Sequence, residues 1–159
     1  MKVSFNIPLV TGRESKYLEE ATKQRHFCGD DHNFTARCRE WLKVNHDAKS
    51  VLMTPSCTHA LEMSAFLYDL KPGDEVILPS FTFVSTANAY AARGATLRFV
   101  DIDPATMCLD LKLVERVINS KTKIIVPVHY AGVSCDMNRL MEMARSANVG
   151  VVANYHRAC

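Results

Sequence analysis

No two of the six cysteines, at 28, 38, 57, 108, 135 and 159, make a C-x-x-C pair, and the six histidines are scattered. That argues against a zinc site or other metal centre and against a disulfide framework, leaving reduced thiols as the plain reading. No apolar run is long enough to cross a bilayer, so no membrane association is expected. The opening stretch, MKVSFNIPLV, has one lysine but no long apolar core and no small-residue cleavage site. It makes a poor signal peptide, and a cytoplasmic protein is expected. Asn33-Phe34-Thr35 fits the glycosylation pattern but means little without a secretory signal. The net charge is +2, with acids and bases interspersed, so the basic stripe that nucleic acid requires is missing. There is also no G-x-G-x-x-G, no P-loop, no internal repeat and no low-complexity tract.

What remains is a globular pattern. The chain has 159 residues, 48% hydrophobic and 23% charged, enough for one domain with a real core. ESKYLEEATKQ (14–24) predicts a charged surface helix, and Cys28-Gly29-Asp30-Asp31 a turn. Asn33 is placed to cap a second helix with Phe34, Cys38, Trp41 and Leu42 on one face. Ser50–Thr54 reads as a short apolar strand, and HALEMSAFLYDL (59–70) as a helix buried on most sides. Strands EVILP, TLRFVD, TKIIVPVHY and VGVVA then alternate with helices TFVSTANAYAAR, LKLVERVINS and MNRLMEMARSAN. Gly94 sits where a C-cap is needed. Strands apolar on both faces, alternating with helices, predict an α/β fold with a mostly parallel sheet covered by helices. The first ~45 residues read as a helical arm of the same unit rather than a separate domain.

In such sheets ligands bind beyond the carboxyl ends of the strands. Three loops are placed there. Ser56-Cys57-Thr58 opens a helix, where free N–H groups and two hydroxyls form a phosphate cradle; the plainer use of Ser56 or Thr58 is an N-cap. Phe83, in Pro79-Ser80-Phe81-Thr82-Phe83, offers a flat ring to a planar cofactor, or simply belongs to the core. His129, in His129-Tyr130-Ala131-Gly132, serves as acid, base or ligand contact, or is hydrogen-bonded in a turn. Asp101 and Asp103 suit loop-shaping better than catalysis.

Taken in order, TPSCTHALEMSAF, KPGDEVILPSFTFVSTANAYAARGATLRFVDIDPATM, IIVPVHYAGVSCDM and VGVV resemble the DegT/DnrJ/EryC1/StrS sugar-nucleotide aminotransferases. The resemblance runs from about residue 4 to 152. CGDDHNFTARCREWL and the Cys in PSCT bring it nearest to the dTDP-4-amino-4,6-dideoxygalactose transaminases of enterobacterial common antigen synthesis. The resemblance implies an incomplete three-layer large domain of the type I pyridoxal-phosphate (PLP) fold. It divides the chain into a helical arm (1–48), a partial PLP-binding domain (49–152) and a non-family tail (153–159). It implies that Cys57 and Thr58, with Ser56, meet the cofactor phosphate. Phe83 would stack on the pyridine ring, and His129 would lie near the cofactor face. The turn around Gly29 would lie near the mouth of the site. The implied reaction moves an amino group from glutamate, through PLP, to the 4-keto carbon of a nucleotide-linked 6-deoxyhexose, in a homodimer.

Three departures bear on that expectation. Family members follow the VV strand with Glu-Asp-Ala-Ala-Gln or a near variant, whose Asp keeps the pyridine nitrogen protonated. Here Asn154 falls on the Asp position and Arg157 on the Gln position, and neither inherits the role. The SF-x-x-x-K segment with the Schiff-base lysine does not occur, so no catalytic residue is assigned. The last strands of the large domain are missing as well, so Ser50–Thr54 is expected to lose its sheet partners. The sequence therefore reads as the N-terminal piece of a transaminase, cut by an interrupted reading frame and inactive alone. The alternatives are a non-catalytic module binding PLP or a nucleotide sugar, and a partner docking on a full-length relative.

Overall fold

A computed structural model describes residues 7, 9–25 and 34–156. The expected turn at Cys28-Gly29-Asp30-Asp31, the Asn33 cap and Arg157 lie outside the described residues. The chain divides into two compact units, residues 1–55 and 56–159.

In the first unit, α1 spans Glu14–Gln24 and α2 spans Phe34–Asn45. Glu14 opens α1 and accepts hydrogen bonds from the Thr11 backbone N–H (2.7 Å) and hydroxyl (2.8 Å). The bond from the Thr11 backbone is the main reason its carboxyl titrates at about 2. Neither helix buries a residue fully. Phe34, Cys38, Trp41 and Leu42 share a face, as their spacing predicts, and with Tyr17 and Met53 line an apolar groove of about 610 Å³. The strand expected at Ser50–Thr54 does not form, and Leu52 and Met53 are exposed. A strand needs a neighbour's ladder, and no described strand pairs with this segment.

The second unit holds α3 (Cys57–Leu67), β1 (Glu75–Pro79), α4 (Val84–Ala91), β2 (Thr96–Val100), α5 (Leu111–Val117) and β3 (Thr122–Ile125). β4 (Val128–Tyr130), α6 (Met137–Ala147), β5 (Gly150–Val151) and β6 (Asn154–His156) follow. β2-β1-β3-β5 form a four-stranded sheet and β4-β6 a two-stranded one, and every ladder in them is parallel. The α/β expectation holds: a parallel sheet lies between two helical layers. Alternation along β1 and β3 divides the core. Val76, Leu78, Ile124 and Val126 pack with Leu61 and Ala65 of α3 and Ala89 and Tyr90 of α4. Ile77 and Ile125 pack on the other face with Val114 of α5 and Leu140 and Ala144 of α6.

Four local readings need correction. α3 buries only the stripe Leu61 and Ala65, while Phe66 and Leu67 are exposed. Its apolar composition overstates its burial because a single face meets the sheet. The Arg93 guanidinium covers the Phe66 ring instead, 4.4 Å from its centroid. β2 is an edge strand, and Phe99 on it is exposed, unlike the fully buried β1. TKIIVPVHY is not one strand but two, β3 and β4, broken at Val126-Pro127 because proline has no N–H for the ladder. The path still continues, since the Pro127 carbonyl accepts from the Asn154 N–H at 2.9 Å. Likewise the expected VGVVA strand is β5 alone, and β6 carries the chain on through Asn154, Tyr155 and His156.

Candidate functional site

The site is built at the carboxyl end of the parallel strands. Ser56 adopts extended backbone (φ −158°, ψ 162°) and its Oγ accepts from the His59 N–H at 3.3 Å. The same Oγ lies 2.7 Å from His59 Nδ1. Ser56 is therefore the N-cap, and the cap and cradle readings are compatible. Cys57 and Thr58 occupy the first turn, where a helix has no carbonyl four residues back for its N–H groups. No acidic residue lies in that turn to repel an anion.

From this turn a chain of polar contacts runs inward. The Cys57 Sγ–H donates to Asn154 Oδ1 at 3.4 Å, across 97 residues of sequence. Asn154 is buried, and its Nδ2 donates to Thr86 Oγ1 at 3.2 Å. Thr86 is fully buried on α4, and its hydroxyl lies 3.0 Å from that of Thr82, one turn earlier. These contacts join the starts of α3 and β6 to α4. Sequence reasoning missed Thr82 and Thr86; their four-residue spacing in a loop-to-helix segment was the available signal.

His129, at the end of the β3–β4 path, is buried. Its Nδ1 accepts from the Cys135 N–H at 3.0 Å. The neutral ring must then carry its proton on Nε2, which has no hydrogen-bond partner among the described residues. Burial lowers its pKa, favouring that neutral form. The ring rests against Tyr155 of β6, with centroids 4.5 Å apart. The turn hydrogen bond foreseen for His129 is thus present, and the histidine keeps one free donor.

Phe83 is 64% exposed at the entry to α4, so it is not a core residue. Phe81 packs on Tyr130, with ring centroids 4.9 Å apart. Asp101 and Asp103 shape the loop after β2: Asp101 Oδ1 accepts from the Ile102 N–H at 2.9 Å, and Asp103 Oδ1 from the Ala105 N–H at 2.8 Å. Among the described residues no cluster of His, Cys, Asp or Glu is fit to hold a metal ion.

Residues 11–158 match the DegT/DnrJ/EryC1/StrS aminotransferase family along almost their whole length. The chain belongs to this family. Similar proteins include a GDP-perosamine synthase of Caulobacter vibrioides, 43% identical over 157 residues, covering 95% of this chain and 40% of that protein. A 3-amino-5-hydroxybenzoate synthase of Amycolatopsis mediterranei is 41% identical over 108 residues, 68% of this chain and 27% of its own. Among solved structures, a 3-amino-5-hydroxybenzoic acid synthase superposes with a TM-score of 0.85 at 32% identity, covering 92% of this chain and 38% of that one. The PLP form of Spr1654 from Streptococcus pneumoniae, described as a sugar aminotransferase, superposes at 0.82 with 28% identity, over 94% of this chain and 38% of its own. The chain thus spans about 40% of the length of the Caulobacter relative.

The family uses pyridoxal phosphate. The first turn of α3 fits the phosphate of that cofactor, by its open N–H groups, its Thr58 hydroxyl and its lack of acid. Asn154 does not fit a protonated pyridine. It is a neutral amide, with Oδ1 taken by Cys57 and Nδ2 by Thr86.

Proposed function

We propose that this chain is the N-terminal part of a PLP-dependent sugar-nucleotide transaminase. The reaction it belongs to transfers an amino group from glutamate to C4 of a nucleotide-linked 4-keto-6-deoxyhexose. The motifs CGDDHNFTARCREWL and PSCT favour a dTDP sugar. The name of the Caulobacter relative supports GDP as the competing nucleotide. When bound, the cofactor supplies the electron sink. The residues here would hold it: Cys57 and Thr58 at the phosphate, Phe83 on the ring, and His129 near the cofactor face.

One observation carries the reading: the Cys57–Asn154 contact, which gathers the α3 cradle and the start of β6 into one place. The same residues argue that this chain does not turn over by itself. Residues 56–156 contain four lysines. Lys71, Lys121 and Lys123 lie just before or at the amino ends of β1 and β3, opposite the site. Lys112 lines a different cavity, with Cys108 and Cys135. Among the described residues 56–156 no lysine is therefore placed to move a proton at the cofactor, and Asn154 is not a carboxylate.

The test is equilibrium dialysis of the purified chain against PLP. Saturable binding is expected, with affinity reduced about tenfold or more, near 1.4 kcal/mol, by Thr58→Asp. Binding that ignores Thr58→Asp overturns the cradle. Glutamate-dependent turnover of a dTDP- or GDP-linked 4-keto sugar by the chain alone overturns its inactivity. A non-catalytic binding module is the second reading, favoured by Asn154, whose Oδ1 and Nδ2 are each engaged by a neighbour. A melting temperature raised by nucleotide sugar without PLP is its signature.

A further inference from the structure

Cys108 and Cys135 sit apart from the contacts described above, yet close to each other. Both are buried, and both belong to the core cluster between the sheet and α5 and α6. Both line one cavity of about 190 Å³ beside Asp103, Asp110, Ser134 and Arg139. The Cys108 Sγ–H points to the Val133 carbonyl at 3.5 Å, two residues before its neighbour. The Cys135 Sγ–H points to the Val128 carbonyl at 3.6 Å. The carbonyl that holds Cys108 thus belongs to the turn that carries Cys135, and the two residues share one cavity wall. The described residues offer no third ligand for a metal.

We propose that Cys108 and Cys135 are a dithiol that a small peroxide converts to a reversible disulfide, tying the loop after β2 to the loop after β4. This is independent of the cofactor reading. The cavity that both cysteines line, about 190 Å³, has room for a molecule the size of hydrogen peroxide. Cys108 attacks one peroxide oxygen; the O–O bond breaks, one water leaves, and Cys108 becomes a sulfenic acid. Cys135 then attacks that sulfur, the S–O bond breaks, and the hydroxide leaves as a second water with the Cys135 proton. Two thiols lose two electrons, and one peroxide gains them. Burial and the neighbouring thiol push the Cys135 pKa up to about 12, so it is little ionised and takes the second step. The bond would form beside the site, because the Cys135 N–H fixes His129 Nδ1.

The experiment treats the full chain with graded hydrogen peroxide, blocks free thiols in denaturant, and maps peptides without reductant. The expected product is a Cys108–Cys135 peptide pair, lighter by two hydrogens and restored by dithiothreitol. In Cys135→Ala, Cys108 should instead take a dimedone label. Exposed Cys57 and Cys38 report on the dose. If they are oxidised while Cys108 and Cys135 both remain alkylatable, the proposal fails. It fails equally if either residue pairs mainly with another cysteine.

Discussion

Glu75 is buried at the start of β1, and still it stays ionised to low pH. The Arg98 guanidinium donates to its Oε1 at 2.8 Å and Asn119 Nδ2 to its Oε2 at 2.8 Å. The Arg98 bond is the largest cause of a pKa lowered from 4.5 to about 2, with burial opposing it. A carboxylate with a depressed folded pKa adds stability above its unfolded pKa and loses it as pH falls through the folded one. Melting temperature should therefore fall between pH 4.5 and about 2, and Glu75→Gln should flatten part of that fall. Gly150 makes a different demand. A Cβ there would strike the Tyr68 ring. Gly150→Ala should cost about 1–3 kcal/mol in denaturant unfolding. Tyr68→Leu in the same chain should return much of it, because the two residues share one space. Ser56, Cys57 and Asn154 were each visible in the sequence as a cap, a cradle and a missing carboxylate. Their contact was not visible, because 97 residues separate Cys57 from Asn154 and only the fold closes that distance.

Helices were legible in place and order, α6 nearly to the residue, while α3 and α5 each stop three residues before their expected ends. Asp136 accepts from the Arg139 N–H at 3.1 Å to start α6, and Asn148 in the left-handed region (φ 54°) ends it. Asp136→Ala should cost about 1 kcal/mol in denaturant unfolding, with helix content outside α6 unchanged. Strands were less legible. Ser50–Thr54 has a strand's composition and no ladder, since pairing is supplied by a partner and not by the segment. β2 shares the apolar look of β1 but has a neighbour on one side only, which leaves Phe99 exposed. Pro127 was in plain view, yet its effect depends on which neighbour needs its absent N–H, and that is a property of the sheet.

Both core clusters belong entirely to residues 61–152, and α1 and α2 contribute nothing fully buried. A chain starting at Ser56 should therefore keep the cooperative unfolding transition of the whole, while residues 1–55 alone should show none by circular dichroism. Family and α/β class were readable because ordered motifs and alternating periods persist in a chain that spans about 40% of the Caulobacter relative. The sugar was not, since sequence pointed to dTDP and the Caulobacter relative carries a GDP name. Finally, beyond Pro127 the sheet narrows from four strands to two. Amides of β1 and β3 share their fate with the whole core, so deuterium should enter them only on global opening. Those of β4 and β6 lie on a two-strand strip and should exchange through smaller local openings. Because His129, Asn154 and Tyr155 lie on that strip, occupancy of the site would be recorded first as a slowing of its exchange clock.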